Sequence, residues 1–203
     1  MKKLKIGLLL GLVLGAFVWT GSVAADRQKL KDGLVRLHVV AHSDSQQDQA
    51  VKLQVRNAVL SYLQPLLAAK SDPEQAREML RKQLPQLQAV ANETLKAAGK
   101  PQDAVVSLCQ ESFAQRQYDT FTLPAGVYHS LRIVLGDGDG RNWWCVVFPQ
   151  LCLGATTHDV EDAAAGAGFS QELCGAITGE DGYTLRFFAL EALGRLENLV
   201  FAS

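Results

Sequence analysis

The hydrophobic positions of this chain fall into three kinds of run, and each predicts a different element. The first kind is continuous. Lys2, Lys3 and Lys5 precede an uncharged stretch from Ile6 to Trp19, which continues without a charge to Ala25. A basic start, an apolar middle and the small residues of Ser22-Val23-Ala24-Ala25, with Val23 and Ala25 in the spaced positions, form a secretory address. The run from Ile6 to Ala25 is also long enough to span a bilayer. Residues 1–25 are therefore read as a signal peptide or an N-terminal membrane anchor, and residues 26–203 as a single domain.

The second kind recurs at helical spacing. After a charged linker or short lead-in from Asp26 to Gly33, a helix is expected from about Gln46 to Ala69. Val51, Val55, Val59, Tyr62, Leu63 and Leu66 form its stripe, and Lys52 and Arg56 lie outside it. Ser45 and Asp48 resemble a capping box, and Pro65 should kink the last turn. Asp72 and Pro73 open a second helix, with Met79, Leu80, Leu84, Leu87, Val90, Ala91 and Leu95 on its face; Pro85 should kink or break it. Tyr183 to Ala202 predicts a C-terminal helix. Gly154 to Gly182, rich in Ala and Gly with weak periodicity, reads as a loop with a short helical turn at Asp159 to Ala165.

The third kind is short, β-branched and aromatic. Leu34 to Ala41, Ala104 to Phe113, Tyr128 to Leu135 and Asn142 to Phe148 read as strands. Gly136-Asp137-Gly138-Asp139-Gly140 reads as a turn that makes the last two strands a central hairpin. The order predicts an α+β fold: a mostly antiparallel four-stranded sheet with two amphipathic helices and a C-terminal helix packed on it, the helices covering one face.

Composition narrows the function classes. The chain has 203 residues and a formal net charge of -1, which argues against nucleic acid as a partner, since that needs a basic patch. The candidate chemistries are incomplete. The glycine turn lacks the Lys and Ser/Thr of a phosphate loop and precedes a strand. Counted from Asp137 as a calcium loop, its twelfth position is Phe148 rather than Glu. His38 and His42 would lie about 13 Å apart on one strand at roughly 3.3 Å per residue, too far for a shared metal unless the strand ends between them. Cys145, with His129 or His158 as base, has no basic neighbour or helix N-terminus to activate a thiol. No cofactor is expected.

Four cysteines, Cys109, Cys145, Cys152 and Cys174, leave open buried thiols or a disulfide. Cys145 and Cys152 can pair if the chain turns at Pro149. Trp143 and Trp144 are adjacent on a strand and face opposite sides. An exposed Trp beside Arg141 and Asn142 suits a protein-binding surface, so Arg141, Asn142, Trp143 and Trp144 are the candidate partner-binding residues.

Three blocks carry a family resemblance: LVRLHVVAHSDSQQDQAVKLQVRNAVL (Leu34 to Leu60), LPAGVYHSLRIVLG (Leu123 to Gly136) and GDGRNWWCVVFPQLCL (Gly138 to Leu153). The chain resembles the stage II sporulation protein R family. In that family an Asn usually stands at His42 and a second Pro at Gln150, and the first difference weakens the histidine-metal idea further.

The resemblance implies a signalling protein of endospore formation, not an enzyme. It would be made in the forespore and exported into the space between the septal membranes, secreted or anchored through residues 6–25. There it would activate a membrane-embedded aspartic-type processing protease of the mother cell, which cleaves the pro-form of an early mother-cell sigma factor. The rival readings are an exported hydrolase acting on cell wall or peptide and a tethered structural envelope protein.

Overall fold

The computed structural model describes residues 2–68, 70, 72–152 and 155–201. The expected helix ends at Ala69 and Ala202, and Gly154 at the start of the Ala/Gly-rich stretch, lie outside these. The elements run α1 (Lys2–Gly33), β1 (Val35–Val40), α2 (Gln46–Ala68), α3 (Pro73–Ala97), β2 (Ala104–Phe113), β3 (Arg116–Gln117), β4 (Thr122–Leu123), β5 (Gly126–Leu135), β6 (Asn142–Phe148), α4 (Thr157–Gly166), α5 (Gln171–Thr178) and α6 (Thr184–Phe201).

The sheet is mixed, not mostly antiparallel. Its order is β2-β5-β1-β6, with β1 parallel to β5 and antiparallel to β6. The expected hairpin is split, because β1 lies between its two arms. The glycine stretch must therefore cross two strand spacings, about 9.6 Å, rather than one. It does so over the end of β1: the Gly140 N–H donates to the Ala41 carbonyl at 2.9 Å and that of Asp139 to the His42 carbonyl at 3.2 Å. A Cβ at Gly140 would collide with the Ser43 carbonyl, and Gly136 and Gly138 adopt φ of 56° and 71°. A Gly/Asp run suits a tight turn and a strand-crossing equally, so local sequence does not separate them.

Helices cover both faces, not one. On the first, α2 and α3 bring Val55, Val59, Leu63, Leu80 and Leu87 against Leu37, Val39, Leu131, Ile133 and Val147 of the sheet. On the second, Val23 and Leu30 of α1 join Tyr128, Val146, Val160, Leu173, Ile177 and Leu190. Alternation along β1 divides the faces: Val35, Leu37 and Val39 join the first cluster, while Arg36 meets Phe113 and Tyr128 of the second.

The Ala/Gly-rich stretch is helical rather than loop. Thr156 and Asp159 form a reciprocal capping box that starts α4, and Ser170 caps α5, which ends on left-handed Gly179. Small residues bury little area per turn, which is why the apolar period is faint there. Pro65 and Pro85 break neither helix. Both are exposed, so the carbonyls they leave unpaired can face water.

The α2 cap is one-sided. Ser45 accepts from the Asp48 N–H at 3.1 Å, but the Asp48 carboxylate turns to the Ser43 hydroxyl at 2.5 Å and to Lys100 at 2.8 Å. This pair ties the start of α2 to the end of α3.

The helix α1 runs unbroken through the expected boundary after Ala25 and through the expected linker. From Lys3 to Gly21 it is exposed along its length, and the span Lys3–Gly33 is long and apolar enough to cross a membrane. Its last turns are docked: Val23, Asp26 and Leu30 are buried, and Arg27 and Lys31 both pair with Glu197 of α6. Gly194 permits this approach, since a Cβ there would collide with the Ala125 carbonyl and crowd Arg27.

Candidate interaction surface

The strand β6 is an edge. On one side it pairs with β1, Leu37 opposite Cys145 and Val39 opposite Trp143. On the other side it meets no strand among the described residues. Past Cys145 that free side is closed by the chain itself. The chain turns at Pro149, the Leu151 N–H donates back to the Val146 carbonyl at 3.1 Å, and Cys145 and Cys152 are joined in a disulfide. What stays open is the segment from Asn142 to Cys145.

Two tryptophans flank this opening, and each carries an arginine. Trp143 points to the α2 face, where the Arg56 guanidinium lies 4.2 Å from its ring centroid. Trp144 points to the opposite face, where Arg116 of β3 lies at 4.1 Å. A guanidinium over an indole face is held by the ring quadrupole, worth about 0.5–2 kcal/mol according to exposure. The two tryptophans face opposite sides, as alternation required, and both are half-buried rather than freely exposed. The indole N–H of Trp143 is buried without an acceptor.

Polar contacts fix the strand's entry. Asn142 holds the His38 ring, Oδ1 to Nε2 at 2.9 Å, while Glu111 holds its other nitrogen at 3.0 Å. That ring also sits 5.5 Å from Trp144. Burial alone would raise the Glu111 carboxyl; the His38 hydrogen bond and the Arg132 charge outweigh it and leave the group below its ordinary value. The Arg141 side chain is exposed. The Arg141 backbone N–H donates to Asp44 at 2.7 Å and its guanidinium pairs with the same carboxylate at 3.4 Å. Its carbonyl accepts from Lys52 at 2.7 Å. Lys52, outside the apolar stripe, is nonetheless buried, and burial followed by the Arg141 charge pushes its ammonium down.

A cleft of about 340 Å³ follows the open edge, lined by Trp143, Trp144, Cys145, Arg116 and Leu151 among others. Residues of both sheet faces line it, so it lies along the edge itself. A larger cavity of about 570 Å³ adjoins on the α2 side, with Arg56, Leu60, Gln64, Val147 and Cys152 on its wall.

The catalytic candidates do not assemble. Cys145 is bonded to Cys152 and has no thiol to offer. Cys109 and Cys174 are free, and burial pushes both thiols up. His38 belongs to the Glu111–Asn142 network, whereas His42 accepts from the Asp137 N–H at 3.1 Å in the glycine crossing. His158 pairs with Asp162 at 3.0 Å on exposed α4. Burial and Arg77 hold His129 low. Among the described residues no group of three or more His, Cys, Asp or Glu is placed to hold a metal.

Sequence reasoning found the tryptophans and missed their partners. Arg56 is distant in sequence and lies outside the apolar stripe of α2, Arg116 lies in a polar stretch with no strand periodicity, and Glu111 has no local signal. Only the sheet order brings them together.

An α+β domain with an unpaired edge strand, carried behind an apolar N-terminal helix, is the class that fold and site define. Residues 31–158 match the model of the family described as Stage II sporulation protein R (spore_II_R), and the chain belongs to that family. It is 33% identical over 185 residues to the Stage II sporulation protein R of Bacillus subtilis (strain 168), covering 82% of this chain and 83% of that protein. No solved structure matches it. Its role lies in sporulation, and its apolar N-terminal helix fits a signal or anchor segment.

Proposed function

We propose that the chain is an exported signal of endospore formation. It is made in the forespore and delivered to the space between the septal membranes. There it activates a membrane-embedded aspartic-type protease of the mother cell, which then removes the pro-sequence of an early mother-cell sigma factor. The observation that carries this reading is membership of the stage II sporulation protein R family through most of the domain. Two features agree with it. The apolar start of α1 supplies an export or anchoring segment, and the Cys145–Cys152 disulfide suits an oxidising space outside the cytoplasm.

Activation by such a ligand is a matter of differential affinity. The chain must bind the active form of the protease, or its assembled form, more tightly than the inactive one. The test is co-expression of the full chain, the protease and the pro-sigma factor in a non-sporulating host. Processing that depends on the chain is the expected result. An unprocessed substrate beside a folded, exported chain overturns the reading.

A further inference from the structure

The open edge of β6 poses a specific chemical question. An unpaired strand edge is a template for another chain, and folded proteins usually cover or blunt it. Here the outer side of residues 142–145 pairs with no strand among the described residues, and although Cys145 is buried and the tryptophans half-buried, a cleft runs along them. The segment is too short to build a sheet on its own, but it is flanked on both faces by cations. Arg56 and Arg116 stack on the two tryptophans, and neither forms an ion pair with a carboxylate among the described residues. Their neighbours do not neutralise them. Asp44 is engaged by Arg141, Asp119 lines the cleft without an ion pair to Arg116, and Arg56 donates only to the neutral amide of Asn57, at 2.8 and 3.0 Å.

A lone guanidinium over an indole is a common surface device. Two of them, on opposite faces of one unpaired strand, form a pattern with a definite complement. The complement is an extended backbone that supplies ladder hydrogen bonds and whose successive side chains reach opposite faces. Those side chains carry carboxylates, which arginine grips through charge-assisted hydrogen bonds.

We propose that the Asn142–Cys145 edge of β6 receives an extended acidic segment of the partner protein as an added strand, with Arg56 and Arg116 taking its carboxylates from the two faces. This is recognition by strand addition, in which the backbone gives affinity and alternate side chains give specificity. It rests on the proposed function only in naming the partner as the protease.

The experiment has two arms. In the first, the purified full chain in detergent micelles is titrated with the eight-residue peptide Val-Glu-Glu-Val-Val-Glu-Glu-Val, whose adjacent glutamates reach opposite faces of a strand, and with its Lys-for-Glu counterpart. Tryptophan fluorescence and amide exchange at residues 142–145 are read. The acidic peptide should perturb the fluorescence and slow exchange there, and the basic peptide and the Arg56→Glu/Arg116→Glu variant should each weaken binding by about tenfold or more. Equal binding of the two peptides, or no protection at 142–145, overturns the proposal. In the second arm the same variant, shown folded by its melting curve and thiol count, is tested in the co-expression assay. Loss of processing supports the strand site, and processing at the wild-type level overturns it as the activating contact. If the wild-type chain binds the acidic peptide but triggers no processing, the functional reading fails and the strand site stands.

Discussion

The carboxylate of Asp26 meets the guanidinium of Arg186 at 2.5 Å, with the two side chains only 5% and 14% exposed. Ser170 adds a hydrogen bond to the same carboxylate at 3.2 Å. Three helices, α1, α5 and α6, are thereby tied at one buried charge. Removing one partner strands the other, which costs about 3–5 kcal/mol for a buried pair. Arg186→Leu should lower the denaturation midpoint by that order. Asp26→Asn/Arg186→Leu should cost less than the sum of the single changes, and equilibrium unfolding of all four proteins checks the coupling.

Asp48 makes the domain acid-sensitive in a defined window. The hydrogen bond from Lys100, then that from Ser43, lowers its carboxyl from 3.8 to about 2 against the opposing effect of burial. A carboxyl whose folded value is depressed contributes stability that is complete above its unfolded value and is lost as pH falls through the folded one. Stability should therefore decline from about pH 4 to about pH 2. Asp48→Asn should be less stable at neutral pH and show a shallower acid limb in a pH series of urea titrations.

Arg36 is fully buried without a carboxylate to answer it. It lies 3.9 Å from the Phe113 centroid and hydrogen-bonds the Tyr118 hydroxyl at 2.8 Å, while its Nε and Nη1 have no partner. Desolvating a guanidinium costs several kcal/mol, and two cation–π contacts, the second at 5.3 Å from the Tyr128 centroid, offset it only in part at about 2 kcal/mol for the nearer one. Arg36→Met should leave stability unchanged or raise it. A large fall in melting temperature would mean that the ring contacts outweigh the desolvation.

Thiol chemistry should divide the cysteines in pairs. Denatured without reductant, the exported protein should take alkylating agent at Cys109 and Cys174 alone; after reduction all four should react, as intact mass will show. Closing a loop of this length is worth about 2–3 kcal/mol through the unfolded state. Cys145→Ser/Cys152→Ser should therefore lower stability by roughly that amount.

The elements were largely legible in the sequence; their neighbours were not. The stripe Val51-Val55-Val59-Leu63 is a local period, and α2 follows it. Nothing in Val35 to Val40 says that this strand will lie between β5 and β6, because strand order is decided by crossovers rather than by local pattern. The same limit governs the candidate surface. Trp143 and Trp144 stand out in any window of the chain, but Arg56 and Arg116 become their partners only when α2 and β3 close on the two faces of β6. The start signals of α4 and α5 were present in the sequence, a capping box at Thr156 and Asp159 and a capping serine at Ser170. They were masked by the low hydrophobicity of the helices they start.

The unbroken course of α1 has a mechanical consequence. Its 32 residues form one rod of about 48 Å at 1.5 Å per residue, with its last turns clamped to α6. While that rod is whole and its apolar end sits in a bilayer, no swivel separates the domain from the membrane. The open edge then has a fixed bearing relative to the lipid plane. A partner reaching across a narrow gap would have to arrive facing the right way, and proximity alone would not suffice.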